Sequence, residues 1–266
     1  MSRNHLMIPS IRIKINLLIF FSLIMSSASA QWDLIYKAGF EYPVQLLNDT
    51  GITFAGEYSS GNNVDCSSST ISSPQDCNSG RDFTDNTPID GHAGFSFTKL
   101  DENGVPFENQ FLDYFTMPWT CVLDNVTGLV WEVKLPFGIH NKDLTYQWGG
   151  VSAIGRDHPN REGPYFDPSW NELVEGSNNE SFCGFDDWRV PTVNELSSIV
   201  NHDTYVPAID LTIFPYWGQS GYPYWTASPV AGNSDVYAYV ISIINGNDDF
   251  SDRNQFNYVR LVRSAH

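Results

Sequence analysis

Apolar and polar positions alternate most clearly at 129-LVWEVK-134, where Leu129, Trp131 and Val133 fall on one side and Val130, Glu132 and Lys134 on the other. A period of two marks an extended strand, and the mixed second side predicts one that is half-buried. The residues just before it, in 123-LDNVTGLVW-131, read as a turn, then Thr-Gly, then strand. The same alternation runs through 94-GFSFTKL-100 and stops at the turn-forming 101-DENG-104. Three later runs, 224-YWTAS-228, 236-VYAYVISII-244 and 257-NYVRLVRS-264, are rich in β-branched and aromatic residues, and 245-NGN-247 after the second is a hairpin-type turn signal. The period changes to that of a helix at 192-TVNELSSIV-200, where Val193, Leu196 and Val200 share a face. Thr192 and Glu195 match the capping box, in which each side chain bonds the other's backbone N–H, and Pro191 lies just outside the helix. One further short helix is expected near 169-SWNELVEG-176. The rest of 135–182 reads as loop, and 61–92 as a polar loop stapled by its own disulfide or a linker. The pattern is α+β, with few helices and much loop.

Composition changes the picture at the N-terminus. Arg3, Arg12 and Lys14 precede the apolar run 17-LLIFFSLIM-25 and the small-residue site 28-ASA-30. This predicts a secretory signal over 1–30 with the mature chain starting at Gln31, because the apolar run is too short to span a bilayer as an ordinary helix. The formal net charge is −17, and the leader carries three bases and no acids, so its removal leaves about −20. Such a field repels nucleic acid, anionic membrane and sulfated polymers. The four cysteines, Cys66, Cys77, Cys121 and Cys183, are expected as disulfides in an exported chain. Of three pairings, 66–77 across the short Ser-rich loop and 121–183 between two motifs are favoured; no C-x-x-C or nearby His supports a metal site.

Candidate chemistry concentrates in 183-CGFDDWRVPTVNEL-196. The chain has no G-x-S-x-G elbow, no H-E-x-x-H and no phosphate-cradling Gly loop, and the histidines of the expected mature chain, at 92, 140, 158, 202 and 266, are scattered. Acids are too numerous for any pair to single out a glycosidase. Asp187, Trp188 and Arg189 therefore read as a hydrogen-bonded brace leading into the Thr192–Glu195 cap, ahead of a catalytic centre, and no catalytic residue, cofactor or metal is assigned. Calcium stays an open alternative at Asp248, Asp249 and Asp252. Asp101, Glu102 and Asn103 lack the spacing of an EF-hand and read as a plain turn.

The ordered set 119-WTCVLDNVTGLVWEVK-134, 183-CGFDDWRVPTVNELSSIV-200, 224-YWTAS-228 and 258-YVRLVRS-264 resembles the Lcl C-terminal domain family over residues 119–264. Each motif is short and weak alone; their order is what makes the resemblance specific. The resemblance implies a C-type-lectin-like, disulfide-stapled fold with mixed or antiparallel sheet, preceded here by a β- and loop-rich segment at 31–118. It also implies an extracytoplasmic setting (periplasm, cell surface or secreted) with no membrane span once the leader is removed. A relative forms the tip of a bacterial collagen-like adhesin that binds sulfated glycosaminoglycans; this sequence has no Gly-X-Y run, so that relative's trimer is not implied, and its charge argues against a polyanion. The reading is a recognition or adhesion module for a glycan or surface polymer, with no nucleic-acid partner and an oligomeric state left open. Tyr216, Trp217, Tyr222 and Tyr224, in 214-FPYWGQSGYPYW-225, are the candidates to stack on sugar rings. A structural envelope component is the second reading and a carboxylate-based hydrolase the third.

Overall fold

A computed structural model describes residues 48–57, 61–65, 75–84, 88–154, 168–218 and 220–265. The expected leader lies outside these residues, as does Cys66. Among the described residues, nine strands form three antiparallel sheets. Strands β1 (Phe54–Glu57) and β2 (Gly61–Asp65) make a hairpin. Strands β3 (Phe97–Leu100), β4 (Cys121–Asp124), β5 (Leu129–Glu132) and β9 (Val262–Ser264) form a sheet in the order β3-β4-β5-β9. Strands β6 (Tyr224–Pro229), β7 (Tyr237–Ile241) and β8 (Asp248–Asp252) form the third. Helices α1 (Gly80–Thr84), α2 (Ser169–Asn179) and α3 (Val193–Ser197) lie between these strands in the chain. The described residues are thus α+β, mostly antiparallel sheet with few helices.

The β4–β5 hairpin follows from 124-DNVTG-128. The Asp124 carboxylate accepts the N–H groups of Val126 and Thr127 at 2.9 and 3.2 Å. Gly128 then closes the turn at φ 69°, a conformation that would strain any side chain even though open space lies beside it. The boundary expected at 119 falls inside this sheet, because β3 pairs with β4 over all four of its residues.

Strand β5 is not half-buried. All four of its residues are buried, because β4 and β9 flank it and both of its faces are covered. Leu129 and Trp131 join one core with Phe97, Trp119, Ile199 and Ile213. Val130 joins another with Trp148, Trp170, Trp188 and Trp225. Helix α2 packs on the second core through Trp170, Leu173, Val174 and Ser177, which recur at i, i+3, i+4 and i+7.

Helix α3 begins at the expected cap. Glu195 N–H donates to the Thr192 hydroxyl at 3.3 Å, and Thr192 N–H donates to Glu195 Oε2 at 2.7 Å. The helix ends at Ser197, short of the predicted 200, yet Val200 is still buried. Just before it, Arg189 and Val262 exchange both backbone hydrogen bonds, at 2.9 and 2.8 Å, which prolongs the sheet by one rung beyond β9. The brace differs from the expected Asp187–Arg189 pair. Arg189 forks onto Glu195, at 2.8 and 2.6 Å, while the Asp187 carboxylate takes Arg263. Trp188, between Asp187 and Arg189 in the chain, is buried against Phe182 and Phe185, its indole N–H donating to Phe182 O at 2.8 Å. Cys121 and Cys183 are joined, stapling β4 to the start of this segment. Cys77 is also disulfide-bonded.

Candidate functional site

Two polar constellations stand out, and they differ in access. The first lies beside the second core. Glu132, on the side of β5 expected to face solvent, is wholly buried with Lys134 and Arg260. Its Oε1 accepts from Lys134 Nζ at 2.9 Å and lies 2.8 Å from His140 Nδ1, and its Oε2 accepts the Leu261 N–H at 2.7 Å. His140 Nε2 lies 2.8 Å from Glu180 Oε1, at the end of α2, and the imidazole stacks on Phe182. Burial alone would raise the Glu132 carboxyl, but Lys134, His140 and the Leu261 N–H outweigh it and hold it at about 2. Burial pulls Lys134 downward against the attraction of Glu132. These groups spend their hydrogen bonds on protein. The network is a strut between β5, α2 and the 258–261 segment.

The second constellation is open to solvent. Two hollows of about 380 and 470 Å³ adjoin, sharing Pro88, Leu211 and Thr212 on their rims. Three chain segments build them: 88–92, 110–115 and 204–213. The latter two are pinned from beneath or within. Lys99, on β3, donates from Nζ to the carbonyls of Gln110 and Leu112 at 3.0 and 2.9 Å and sits 4.3 Å from the centre of the Trp119 ring. Gln110 in turn takes the Lys99 N–H at 2.7 Å and donates to Lys99 O at 3.1 Å, occupying the free edge of the strand. Burial lowers Lys99, and the nearby Asp210 and Asp113 oppose that. Asp113 accepts from the N–H groups of Thr116 and Phe115 and from the Thr116 hydroxyl, at 3.0, 2.9 and 3.0 Å, and these bonds hold its carboxyl below the usual range. The turn so fixed carries Phe111 and Phe115 outward, 73% and 87% exposed.

The opposite wall turns on Asp210, whose Oδ1 accepts from Thr212 N–H and hydroxyl at 2.8 and 2.7 Å. Val206 N–H and Ala208 N–H bond Ile244 O and Ile243 O. Val206 sits at φ 54°, an unusual conformation for a β-branched residue, and is half exposed beside Tyr205. At the end of the groove, His92 Nε2 lies 3.0 Å from both Gly51 O and Asp203 Oδ2, and the Thr53 hydroxyl donates to the same Asp203 oxygen at 2.8 Å.

The expected aromatic loop is placed differently. Tyr224 is 1% exposed, its hydroxyl accepting the Gly218 N–H at 2.8 Å, so it cannot face a ligand. Burial pushes its phenol upward. Trp217 packs on the first core, Tyr216 is half-buried and only Tyr222 of the four is exposed. The loop is drawn down because Arg260 donates to Tyr216 O at 3.1 Å and because Gly218 lies against the Tyr258 ring. Tyr216 does reach the groove indirectly: it packs edge-on against Tyr114, which lines the larger hollow. Asp248, Asp249 and Asp252 lie along β8. With a rise of ~3.3 Å per residue, Asp248 and Asp252 are roughly 13 Å apart and do not converge on one ion. No group of three metal-capable side chains occurs among the described residues.

One signal for the groove was legible in the sequence and points away from the 214–225 loop. In 109-NQFLDYFT-116, Asn109 and Asp113 each bond the backbone two residues on, at Phe111 and Phe115. A turn-former two places before a phenylalanine projects that ring from a loop.

Residues 120–263, more than half of the chain, match the family model described as the Lcl C-terminal domain. No curated protein and no solved structure matches. The match contains the 204–213 wall of the groove, whereas 88–92 and 110–115 precede it.

Proposed function

The chain belongs to the Lcl C-terminal domain family, and on that premise we propose that it is an exported, adhesin-like recognition module of C-type-lectin-like architecture that holds a glycan or another surface polymer in the groove between 88–92, 110–115 and 204–213. One observation carries the reading. Ile89, Phe111, Phe115, Tyr205, Val206 and Leu211 are all exposed around two adjoining hollows, on loops that meet at one edge of the core. A grouped exposed apolar surface with a polar rim marks a site of interaction, whereas apolar residues scattered singly do not. Export rests on the leader expected at 1–30, and a setting outside the cytoplasm agrees with the disulfide between Cys121 and Cys183.

The test is a binding screen on arrayed glycans and on intact surface polymer, comparing the natural protein with Phe111→Ser/Phe115→Ser and with Tyr222→Ala. The double variant is expected to lose about tenfold or more in affinity, since two exposed aromatic anchors are removed, while Tyr222→Ala binds normally. Normal binding by the double variant and lost binding by Tyr222→Ala would return the site to the 214–225 loop.

A further inference from the structure

Taking the groove as the binding site, we infer that its occupant is a polypeptide segment in which apolar side chains alternate with basic ones. The walls decide the apolar part. Of the six exposed wall side chains, those of Ile89, Val206 and Leu211 offer no hydrogen bond, those of Phe111 and Phe115 offer only ring faces and edges, and Tyr205 adds a single hydroxyl. A sugar could lay only its C–H face on the Phe111 and Phe115 rings, whereas a leucine or phenylalanine side chain could also fill the hollows beside Ile89, Val206 and Leu211 and lose only its contact with water.

The charges decide the basic part. Among the described residues, the carboxylates on the rim are those of Asp113, exposed, and Asp210, partly exposed, with Asp203 beside His92 at the far end. The floor holds an ammonium, on Lys99. It is 7% exposed and already engaged with two carbonyls and the Trp119 ring, so it is not offered to a ligand anion. The chain as a whole carries a formal −17. Local and overall fields therefore both draw a cation in and turn an anionic polymer or an anionic lipid headgroup away. The hydrogen bonds of its own turn hold the Asp113 carboxyl below its usual range, which favours the charged form at the rim.

The inference is tested by fluorescence anisotropy with a labelled octapeptide that alternates lysine with phenylalanine or leucine, the same peptide with glutamate in place of lysine, and a neutral β-1,4-glucan hexasaccharide followed by calorimetry. The lysine peptide should bind at least about tenfold more tightly than the glutamate peptide, and should weaken as salt rises because rim charges are screened. It should also lose about tenfold in affinity for Phe111→Ser/Phe115→Ser, the two exposed anchors, whose melting temperature should match that of the natural chain. Equal binding of the two peptides, or lysine-peptide binding indifferent to the double variant, overturns the inference. If instead the hexasaccharide alone binds and the double variant abolishes it, the groove stands as the site and the polypeptide is wrong. If no probe depends on Phe111 and Phe115, the groove itself is wrong.

Discussion

Arg189 shows how one side chain can hold a fold without touching a ligand. Its guanidinium meets both oxygens of Glu195, a carboxylate that also closes the α3 capping box and is 6% exposed. Burial would raise the Glu195 carboxyl; Arg189 and the Thr192 N–H overcome that and lower it. Arg189→Ala leaves the nearly buried carboxylate with the cap alone. We expect a loss of about 2 kcal/mol in denaturant unfolding, less than for a fully buried pair because Arg189 keeps a third of its side chain in water. Binding at the groove should be unchanged once the protein is folded; a stable Arg189→Ala protein that had lost binding would make this a functional site after all. Gly218 is a second such residue. A Cβ there would run into the Tyr258 ring, and the Gly218 N–H is the donor to Tyr224. Gly218→Ala should lower the melting temperature, and it should lower it less in a Tyr258→Leu background than in the natural chain, since the smaller side chain removes the obstacle. Neither the partner of Arg189 nor the burial of Tyr224 was legible in the sequence. Asp187, two residues away, was the nearer acid along the chain, but its carboxylate points to Arg263.

At the scale of elements, β5 carries the sharpest consequence. A strand whose second side reads Val130, Glu132, Lys134 looks half-exposed, yet α2 and the 258–261 segment cover that side and convert two charges into an internal pair. Glu132 is held at about 2 against an ordinary 4.5. A carboxyl whose folded pKa is depressed adds stability that is complete above about 4.5 and disappears as pH falls towards 2. The unfolding midpoint in urea should therefore decline between about pH 5 and pH 2 in the natural protein, and this part of the decline should be missing in Glu132→Gln. That variant should also be about 3–5 kcal/mol less stable at neutral pH, because Lys134 would be left charged and buried without its partner. A midpoint indifferent to the substitution would mean that Glu132 is solvated. Other elements were plainer. The α3 cap and the i, i+3, i+4, i+7 face of α2 depend on contacts within a few residues, so local pattern sufficed to expect both helices.

For the whole molecule, the four-stranded sheet contributes to two aromatic-rich cores, and the groove forms where loops leaving its β3 edge meet the 204–213 segment. Two of the three segments of that groove lie outside the family match, so members with a different segment before residue 120 are expected to share the scaffold and differ in ligand. Sequence alone determined the features set by short range or by ordered motifs: the α+β character, the turn before β5, the capped start of α3, the motif order that identifies the family, and the overall negative field. Tertiary structure decided which faces are covered, which ion pairs form and where the open surface lies. A period of two reports that a backbone is extended, but whether its second face meets water depends on elements more than a hundred residues away, as Leu261 is from Glu132. In the same way, Phe111, Tyr205 and Ile89 become one surface only because folding brings three distant loops side by side, two of them held by Lys99, Asp113 and Asp210.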